Sequence, residues 1–234
     1  MPSYDGGRLL ARAIAEARGA WAPVWVVIDG STDDSPGEAE AMARLDPGLR
    51  VLRLPRNRGK GAAVHHGLLA AQACGFTHAL VMDADGQHPA EAIPAFMAAS
   101  SRAPDALVMG RPVFGADAPW ARVAGRRVSN WLAAFEAGQP VGDALFGFRV
   151  YPIGPLLAVM GESRGMRRFD FDPEAVTRLA WRGLPLIQLP ARVRYLGPAE
   201  GGVSHFKYLR DNLLLGRMHL RIMGALLARM RTVR

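Results

Sequence analysis

Ala79-Leu80-Val81-Met82-Asp83-Ala84-Asp85-Gly86-Gln87-His88-Pro89 carries the chain from an apolar run into a polar, glycine-containing turn. The apolar half predicts a buried strand ending at Asp83, and residues 90–99 predict the helix that follows. Two carboxylates one residue apart at the carboxyl end of a buried strand are costly unless positive charge sits between them. A hard divalent cation, Mg²⁺ or Mn²⁺, suits that place, because it prefers oxygen ligands and keeps sites open for phosphate oxygens. The stretch therefore predicts metal-assisted chemistry on a phosphorylated donor. Asp85 is the first choice as metal ligand, with Asp83 and Gln87 beside it.

The same strand-then-loop pattern repeats on either side. Leu9, Leu10, Ala13, Ile14 and Ala17 mark one face of a first helix. A strand over 24–28 ends in Asp29-Gly30-Ser31-Thr32-Asp33. A short helix over 38–44 leads to a strand over 51–54, then to Asn57-Arg58-Gly59-Lys60-Gly61 and a helix reaching Cys74. A strand over 106–109 ends at Gly110-Arg111. Alternating strands and helices predict an α/β fold: a mostly parallel sheet with helices on both faces. Ligands of such sheets bind outside the carboxyl ends of the strands. Asp29, Lys60, Asp83, Asp85 and Arg111 are therefore expected to gather on one edge. Beyond Pro112 the pattern is less regular, with helices expected over 121–137 and 173–182.

The 234 residues suffice for one substantial core, and half of them are hydrophobic, which excludes a disordered chain. A single cysteine, Cys74, excludes an internal disulfide framework and fits a reducing compartment. Met1-Pro2-Ser3-Tyr4-Asp5 lacks the basic start and apolar stretch of a signal peptide, and no apolar run is long enough for a spanning helix. A net charge of +8 points to anionic partners: nucleic acid, lipid headgroups or nucleotide phosphates. No cluster of stacking aromatics accompanies the basic residues, which argues against nucleic acid. The charge is concentrated at the end of the chain. Lys207, Arg210, Arg217, Arg221, Arg229, Arg231 and Arg234 interleave at helical spacing with Leu209, Leu213, Leu214, Met218, Ile222, Leu226 and Met230. A basic amphipathic helix of this kind suits an anionic membrane surface. Periodicity alone equally allows a terminal helix packed on its own domain.

Taken together in order, these motifs resemble the family 2 glycosyltransferases, and among them the polyprenyl-phosphate (dolichyl-phosphate mannose synthase-like) branch. Pro2-Ser3-Tyr4-Asp5 is similar to the family's Pro-x-Tyr-Asn-Glu opening, with Asp in place of Asn. Asp29 to Asp33 resembles the nucleotide-recognition loop, Asn57-x-Gly59-Lys60-Gly61 the next signature, and Asp83-x-Asp85-x-Gln87-His88-Pro89 the metal motif. Gly142-Asp143 with Gly147-Phe148-Arg149 resembles the Asp-(x)₃-Gly-Phe-Arg segment, and the resemblance covers nearly the whole chain. It implies a GT-A-type, Rossmann-like domain over 1–205, with a nucleotide-sugar half (1–111) and an acceptor half (112–205), followed by the basic helix over 206–234. The family's hydrophobic first strand normally precedes Pro-x-Tyr-Asn, and here Met1 stands where it ends, so the first strand is expected to be missing.

The resemblance implies inverting transfer of a sugar from a nucleoside diphosphate sugar to a lipid-linked acceptor, on the cytoplasmic face of a membrane and peripheral to it. Pro2, Tyr4, Asp5, Asp29, Ser31, Lys60, Asp83, Arg111, Arg127 and His205 are the expected donor contacts. His205, within Gly201-Gly202-Val203-Ser204-His205, replaces the lysine of a Gly-x-Ser-Lys stretch. Arg111, Arg126, Arg127 and Arg149 offer planar paired donors for phosphate. Asp143, Asp172 and Arg149 are the expected catalytic residues, although a lipid phosphate is already ionised and needs no base. Two other readings start from the same residues. Asp83-Ala84-Asp85-Gly86 superficially resembles the nucleophile loop of haloacid dehalogenase-type phosphatases, and a degenerate, non-catalytic transferase domain carries the same pattern. Sugar, nucleotide and oligomeric state are not encoded in spacing.

Overall fold

The computed structural model describes residues 1–115, 120–194 and 208–232. His205 lies outside them. One sheet has the order β1 (Pro2–Ser3), β2 (Val24–Asp29), β3 (Leu49–Leu54), all parallel. The other has the order β4 (His78–Val81), β6 (Arg149–Pro152), β5 (Leu107–Val113), β7 (Leu186–Arg192). Here β6 runs antiparallel to both neighbours, and β5 and β7 are parallel.

Burial explains the sequence of each strand. β2, Val-Trp-Val-Val-Ile-Asp, is nearly all apolar because both its faces are covered. β3 is buried at its two ends, with Leu49 in the core beneath α1 and Leu54 in the small cluster on the opposite face, and it exposes Arg50 and Arg53. In β5 and β6 the period of two divides the core: Leu107, Met109 and Tyr151 join one apolar cluster, while Val108 and Val150 join the other.

Helices cover both sides. On one lie α1 (Gly7–Ala20), α2 (Ser35–Leu45) and α4 (Ile93–Arg102), with Leu10, Ile14 and Phe96 in their shared core. On the other lie α3 (Lys60–Ala73), α5 (Trp120–Ala137), α6 (Ile153–Glu162) and α7 (Phe171–Trp181), with Leu68, Ala133, Leu156 and Leu179 inside. The predicted helices recur with small shifts at their ends. The helix expected over 90–99 opens as a tighter turn over Ala90–Ala92, and Pro94 stands in the first turn of α4, where no N–H is required.

β1 is two residues long. Pro2 and Ser3 pair with Val27 and Ile28 of β2. The irregular second half contains β6, α6 and β7, which the apolar periodicity did not single out.

The terminal helix α8 (Tyr208–Thr232) packs through Leu215, Met218 and Ile222 onto Leu145 and Trp181. His219 bonds Glu136 at 2.8 Å, and Arg221 pairs with Glu174 and Asp170. Its other face exposes Leu209, Leu213, Leu220, Leu227 and Met230. Both sequence readings of this helix thus have a face of their own. No helix among the described residues is long and apolar enough to cross a membrane.

Candidate active site

β2 ends at Asp29, a buried acid at the rim of the sheet. Its carboxylate accepts the N–H groups of Arg58 at 2.8 Å and Gly59 at 2.7 Å. Asp29 therefore fixes the loop that carries Lys60, a role the sequence reading gave to nucleotide contact alone. Gly59 has φ of 97°, and a Cβ there would come within 2.6 Å of the Arg167 carbonyl oxygen, so only glycine fits. The preceding loops are stitched in the same way. Asp5 accepts the Thr32 N–H at 2.7 Å and donates its own N–H to Ser31 Oγ at 2.9 Å. Partial burial works to raise the Asp5 pKa, but hydrogen bonds led by the Thr32 N–H hold it below the ordinary value. Asp33 accepts from Gly7 N at the start of α1 and from the Ser35 hydroxyl.

Lys60, first residue of α3, is the centre of the site. Its Nζ lies 2.7 Å from Asp83 Oδ1 and 2.7 Å from Asp172 Oδ2. Burial pulls the lysine pKa down, but the two carboxylates outweigh it and hold the ammonium firmly charged. Burial likewise raises Asp83, and Lys60 outweighs it, so Asp83 stays ionised below the usual carboxylate range. The second oxygen of Asp172 is buried with no hydrogen-bond partner. A Cβ on Gly147 would stand 2.5 Å from Lys60 Nζ, so the glycine of the Gly-Phe-Arg segment leaves room for the lysine.

Asp85 is different. Burial first, then the neighbouring Asp83 charge, raises its pKa. One of its oxygens accepts the Gln87 N–H at 3.0 Å, and it has no ion pair among the described residues. The Gln87 carbonyl accepts the Arg194 N–H, which ties the turn to the end of β7. His88 is buried against Phe146 and Phe148 and accepts the Asp83 N–H on Nδ1, so it braces the turn. Its burial keeps it neutral, below the ordinary histidine pKa.

No group of three or more His, Cys, Asp or Glu side chains among the described residues forms a closed metal cage. An open site fits the residues better: an Asp85 carboxylate short of positive charge, beside an ionised Asp83. A divalent ion that takes its remaining oxygens from a phosphorylated ligand matches that donor set.

The acceptor-side residues are engaged within the protein. Asp143 accepts from Arg126 at 2.8 Å and from the N–H groups of Leu145 and Phe146. Arg149 is fully buried. Its guanidinium donates to the carbonyls of Phe146, Asp172, Asp143 and Ala144 and to the Tyr151 hydroxyl. All three guanidinium nitrogens are thus engaged within the protein, and they tie the 143–148 loop to the start of α7. Arg111 on β5 and Arg127 on α5 are exposed and form no hydrogen bond or ion pair with the Lys60 cluster.

Residues 1–156 match the family described as Glycosyl transferase family 2. The chain belongs to this family. It is a glycosyltransferase, and the phosphatase reading falls with that match. The polyprenol monophosphomannose synthase of Mycolicibacterium smegmatis is 24% identical over 196 residues, covering 81% of this chain and 74% of that protein. The undecaprenyl-phosphate mannosyltransferase of Micrococcus luteus is 26% identical over 214 residues, covering 87% of each. The fold is shared with glucosyl-3-phosphoglycerate synthase of Mycobacterium tuberculosis, crystallised with Mn²⁺, uridine diphosphate and glucosyl-3-phosphoglycerate. That structure has a TM-score of 0.60 and 18% identity, covering 97% of this chain and 77% of its own.

Within this glycosyltransferase, the acidic group Asp170, Asp172 and Glu174 is visible in the sequence, but the pairing of Asp172 with Lys60 and the hub made by Asp170 and Glu174 are not. Asp170 accepts the Met166 and Arg168 N–H groups, and Glu174 accepts from Ser163, Arg178 and Arg221. The available signal was the run Asp170-Phe171-Asp172-Pro173-Glu174 at the start of a helix, three acids where a helix dipole favours them.

Proposed function

We propose that this glycosyltransferase moves a sugar, with inversion, from a nucleoside diphosphate sugar to a lipid-linked acceptor of the polyprenyl phosphate type. The observation that carries the reading is the charge balance at the rim. Among the described residues, Asp83, Asp85 and Asp172 face a single charged cation, Lys60. Asp83, Asp85 and Gln87 would hold Mg²⁺ or Mn²⁺, and the bound ion would neutralise charge developing on the diphosphate as it leaves.

The chain's own residues divide the remaining work. Lys60 holds Asp83 and Asp172 in fixed positions, so the donor meets a preorganised rim rather than one that must rearrange. The stitched loops at Asp5, Ser31 and Asp29 form the wall for the nucleotide, with Pro2 and Tyr4 next to them. On the acceptor side, Asp143 is engaged by Arg126 and two backbone N–H groups, and Asp172 by Lys60. That favours an acceptor already ionised, which needs no proton removed. The names of the two relatives point the same way.

The exposed leucines of α8 alternate with Arg210, Arg217 and Arg229, a composition suited to an anionic bilayer surface and to work at the inner face of the cell membrane. The test is a panel of nucleoside diphosphate sugars with undecaprenyl phosphate in anionic liposomes, with Mn²⁺, Mg²⁺ or chelator. The reading expects one donor to yield a sugar-phosphate lipid in the presence of metal. Donor hydrolysis without a lipid product, or transfer undiminished by chelator, would refute it.

A further inference from the structure

Two neighbouring loops carry arginines that the transfer site does not use. Arg58 precedes α3, and Arg167 and Arg168 precede α7. Arg58 and Arg167 are exposed and Arg168 is half-buried. None of the three has an ion pair among the described residues, and the acids near them are committed elsewhere. Asp29 accepts the Arg58 and Gly59 N–H groups. Asp170 accepts the Met166 and Arg168 N–H groups and pairs with Arg221, and Glu162 pairs with Arg182.

The loops are packed against each other. The Arg167 carbonyl accepts the Ala62 N–H at 3.0 Å, in the first turn of α3. A Cβ on Gly59 would stand 2.5 Å from Arg168 Cγ, and one on Gly61 would collide with the Met166 carbonyl oxygen, so the second loop lies directly on the helix start. Arg168 Nη1 reaches Asn57 Oδ1 at 3.5 Å. Met166 has φ of 60°, a costly conformation for a residue with a Cβ. Its N–H bond to Asp170 and its buried side chain hold it there.

Positive charge is thus held rigidly where it repels itself. His65 stands five residues after Lys60, about 140° round α3 from it, on the flank that bears the arginines. Burial lowers the His65 pKa first, and the charges of Arg167, His66 and Arg58 push it further down. The amino end of α3 adds its own positive potential. A bound anion would offset every one of these terms. A carboxylate fills one guanidinium fork. A phosphoryl group brings about two negative charges and enough oxygens to take donors from several arginines at once.

We propose that Arg58, Arg167 and Arg168 form a second anion site, which takes a phosphoryl group and is separate from the diphosphate position at Lys60, Asp83 and Asp85. Lys60 turns toward Asp83 and Asp172, whereas the arginines stand on the outer flank of the same helix start. The phosphoryl group belongs either to a soluble phosphate ester or to the headgroup of an anionic lipid.

The test uses the full chain with chelator present, so that no metal-held donor site reports. The probes are inorganic phosphate, glycerol 3-phosphate and short-chain phosphatidylglycerol, with short-chain phosphatidylcholine as the neutral control. Arg58→Gln with Arg167→Gln is compared with Arg44→Gln with Arg102→Gln, which removes the same charge from exposed positions elsewhere. The readouts are affinity and the titration of His65 followed by NMR. At least one phosphoryl probe is expected to bind the parent and move the His65 midpoint to higher pH. Its affinity should fall about tenfold or more in the Arg58 and Arg167 pair and stay within about threefold in the control pair. Binding of the soluble phosphates would identify a small-molecule ligand, and binding confined to phosphatidylglycerol would identify a headgroup. Equal losses in the two pairs would reduce the effect to net charge and overturn the proposal, as would a His65 midpoint that no probe moves.

Discussion

Replacing Arg149 with lysine separates a residue that holds the site together from one that acts on substrate. The guanidinium is fully buried and makes bonds of 2.6 to 3.2 Å to four backbone carbonyls and one hydroxyl. These partners lie at Asp143, Ala144, Phe146, Asp172 and Tyr151, so a single side chain clamps the 143–148 loop to the start of α7. A lysine ammonium is a compact head that cannot span that spread. At least two of the carbonyls would lose their donor, at about 1–3 kcal/mol for each buried acceptor left unpaired. Arg149→Lys is therefore expected to cost about 4 kcal/mol, which for a chain of this size lowers Tm by about 8–16 °C. Differential scanning calorimetry gives the first readout. The second is donor binding by titration calorimetry at a temperature where the variant is folded, expected within about threefold of the parent. A variant with parental Tm that has lost sugar transfer would refute the positioning role and return Arg149 to the reacting groups.

Asp85→Asn removes a carboxylate beside Asp83 that has no ion pair among the described residues. It is expected to abolish the Mn²⁺-dependent part of nucleotide binding in calorimetry while leaving Tm within about 2 °C; metal-dependent binding that persists would rule out Asp85 as a ligand. Burial works to raise the Glu174 pKa, but hydrogen bonds from Arg221, Ser163 and Arg178 hold it below its ordinary value of 4.5. Its stabilising contribution is therefore complete above that value and is lost as pH falls through the depressed folded pKa. In Tm measured from pH 7 to pH 3, Glu174→Gln is expected to be less stable at pH 7 and to lose part of the acid-side decline; parallel curves would contradict this. Leu213 and Leu220 are 68% and 75% exposed on α8, so Leu213→Asp with Leu220→Asp is expected to leave Tm within about 2 °C. The same pair should prevent flotation with anionic liposomes, and unchanged flotation would exclude this face as the membrane contact.

The first half of the fold was legible because each strand there is a short apolar run ending in a turn of glycine and acids. Local residues announce both the element and the site, as with 24–28 before Asp29 and 79–82 before Asp83. The second half was less legible for a physical reason. β6 is buried on both faces and lies between two other strands, yet it holds an arginine, whose guanidinium is satisfied by carbonyls three to six residues before it, by the Tyr151 hydroxyl and by the Asp172 carbonyl from the start of α7. A sequence pattern cannot reveal that compensation, so Arg149 reads as a candidate for catalysis. The Lys60 and Asp172 pairing escaped for the same reason. Each residue belongs to a recognisable motif, but only the packing of α3 on α7 brings the two to 2.7 Å. Asp29 was legible as important, but its hold on the Arg58 and Gly59 N–H groups was not, since a loop-holding acid and a ligand-holding acid look alike in sequence.

The first turn of α7 explains why a peripheral helix and a buried lysine belong to one mechanical unit. Asp170, Asp172 and Glu174 each serve a different neighbour: the 166–168 loop and Arg221, Lys60, and Ser163 with Arg178 and Arg221. The carbonyl of Asp172 also takes the 2.6 Å bond from Arg149. A helix start favours acids, so the cluster is sustainable there where it would not be at a helix end. The consequence is geometric. α8 is anchored through Arg221 to the same turn that fixes the partner of Lys60. A displacement of α8 large enough to draw Arg221 away would leave the fully buried Glu174 with Arg178 as its one remaining ion-pair partner among the described residues. Losing one member of a buried charge network is costly, which favours the turn moving together with α8. Docking of α8 on a surface and the placement of Asp172 beside Lys60 are therefore constrained together, through one rigid turn rather than through the sheet.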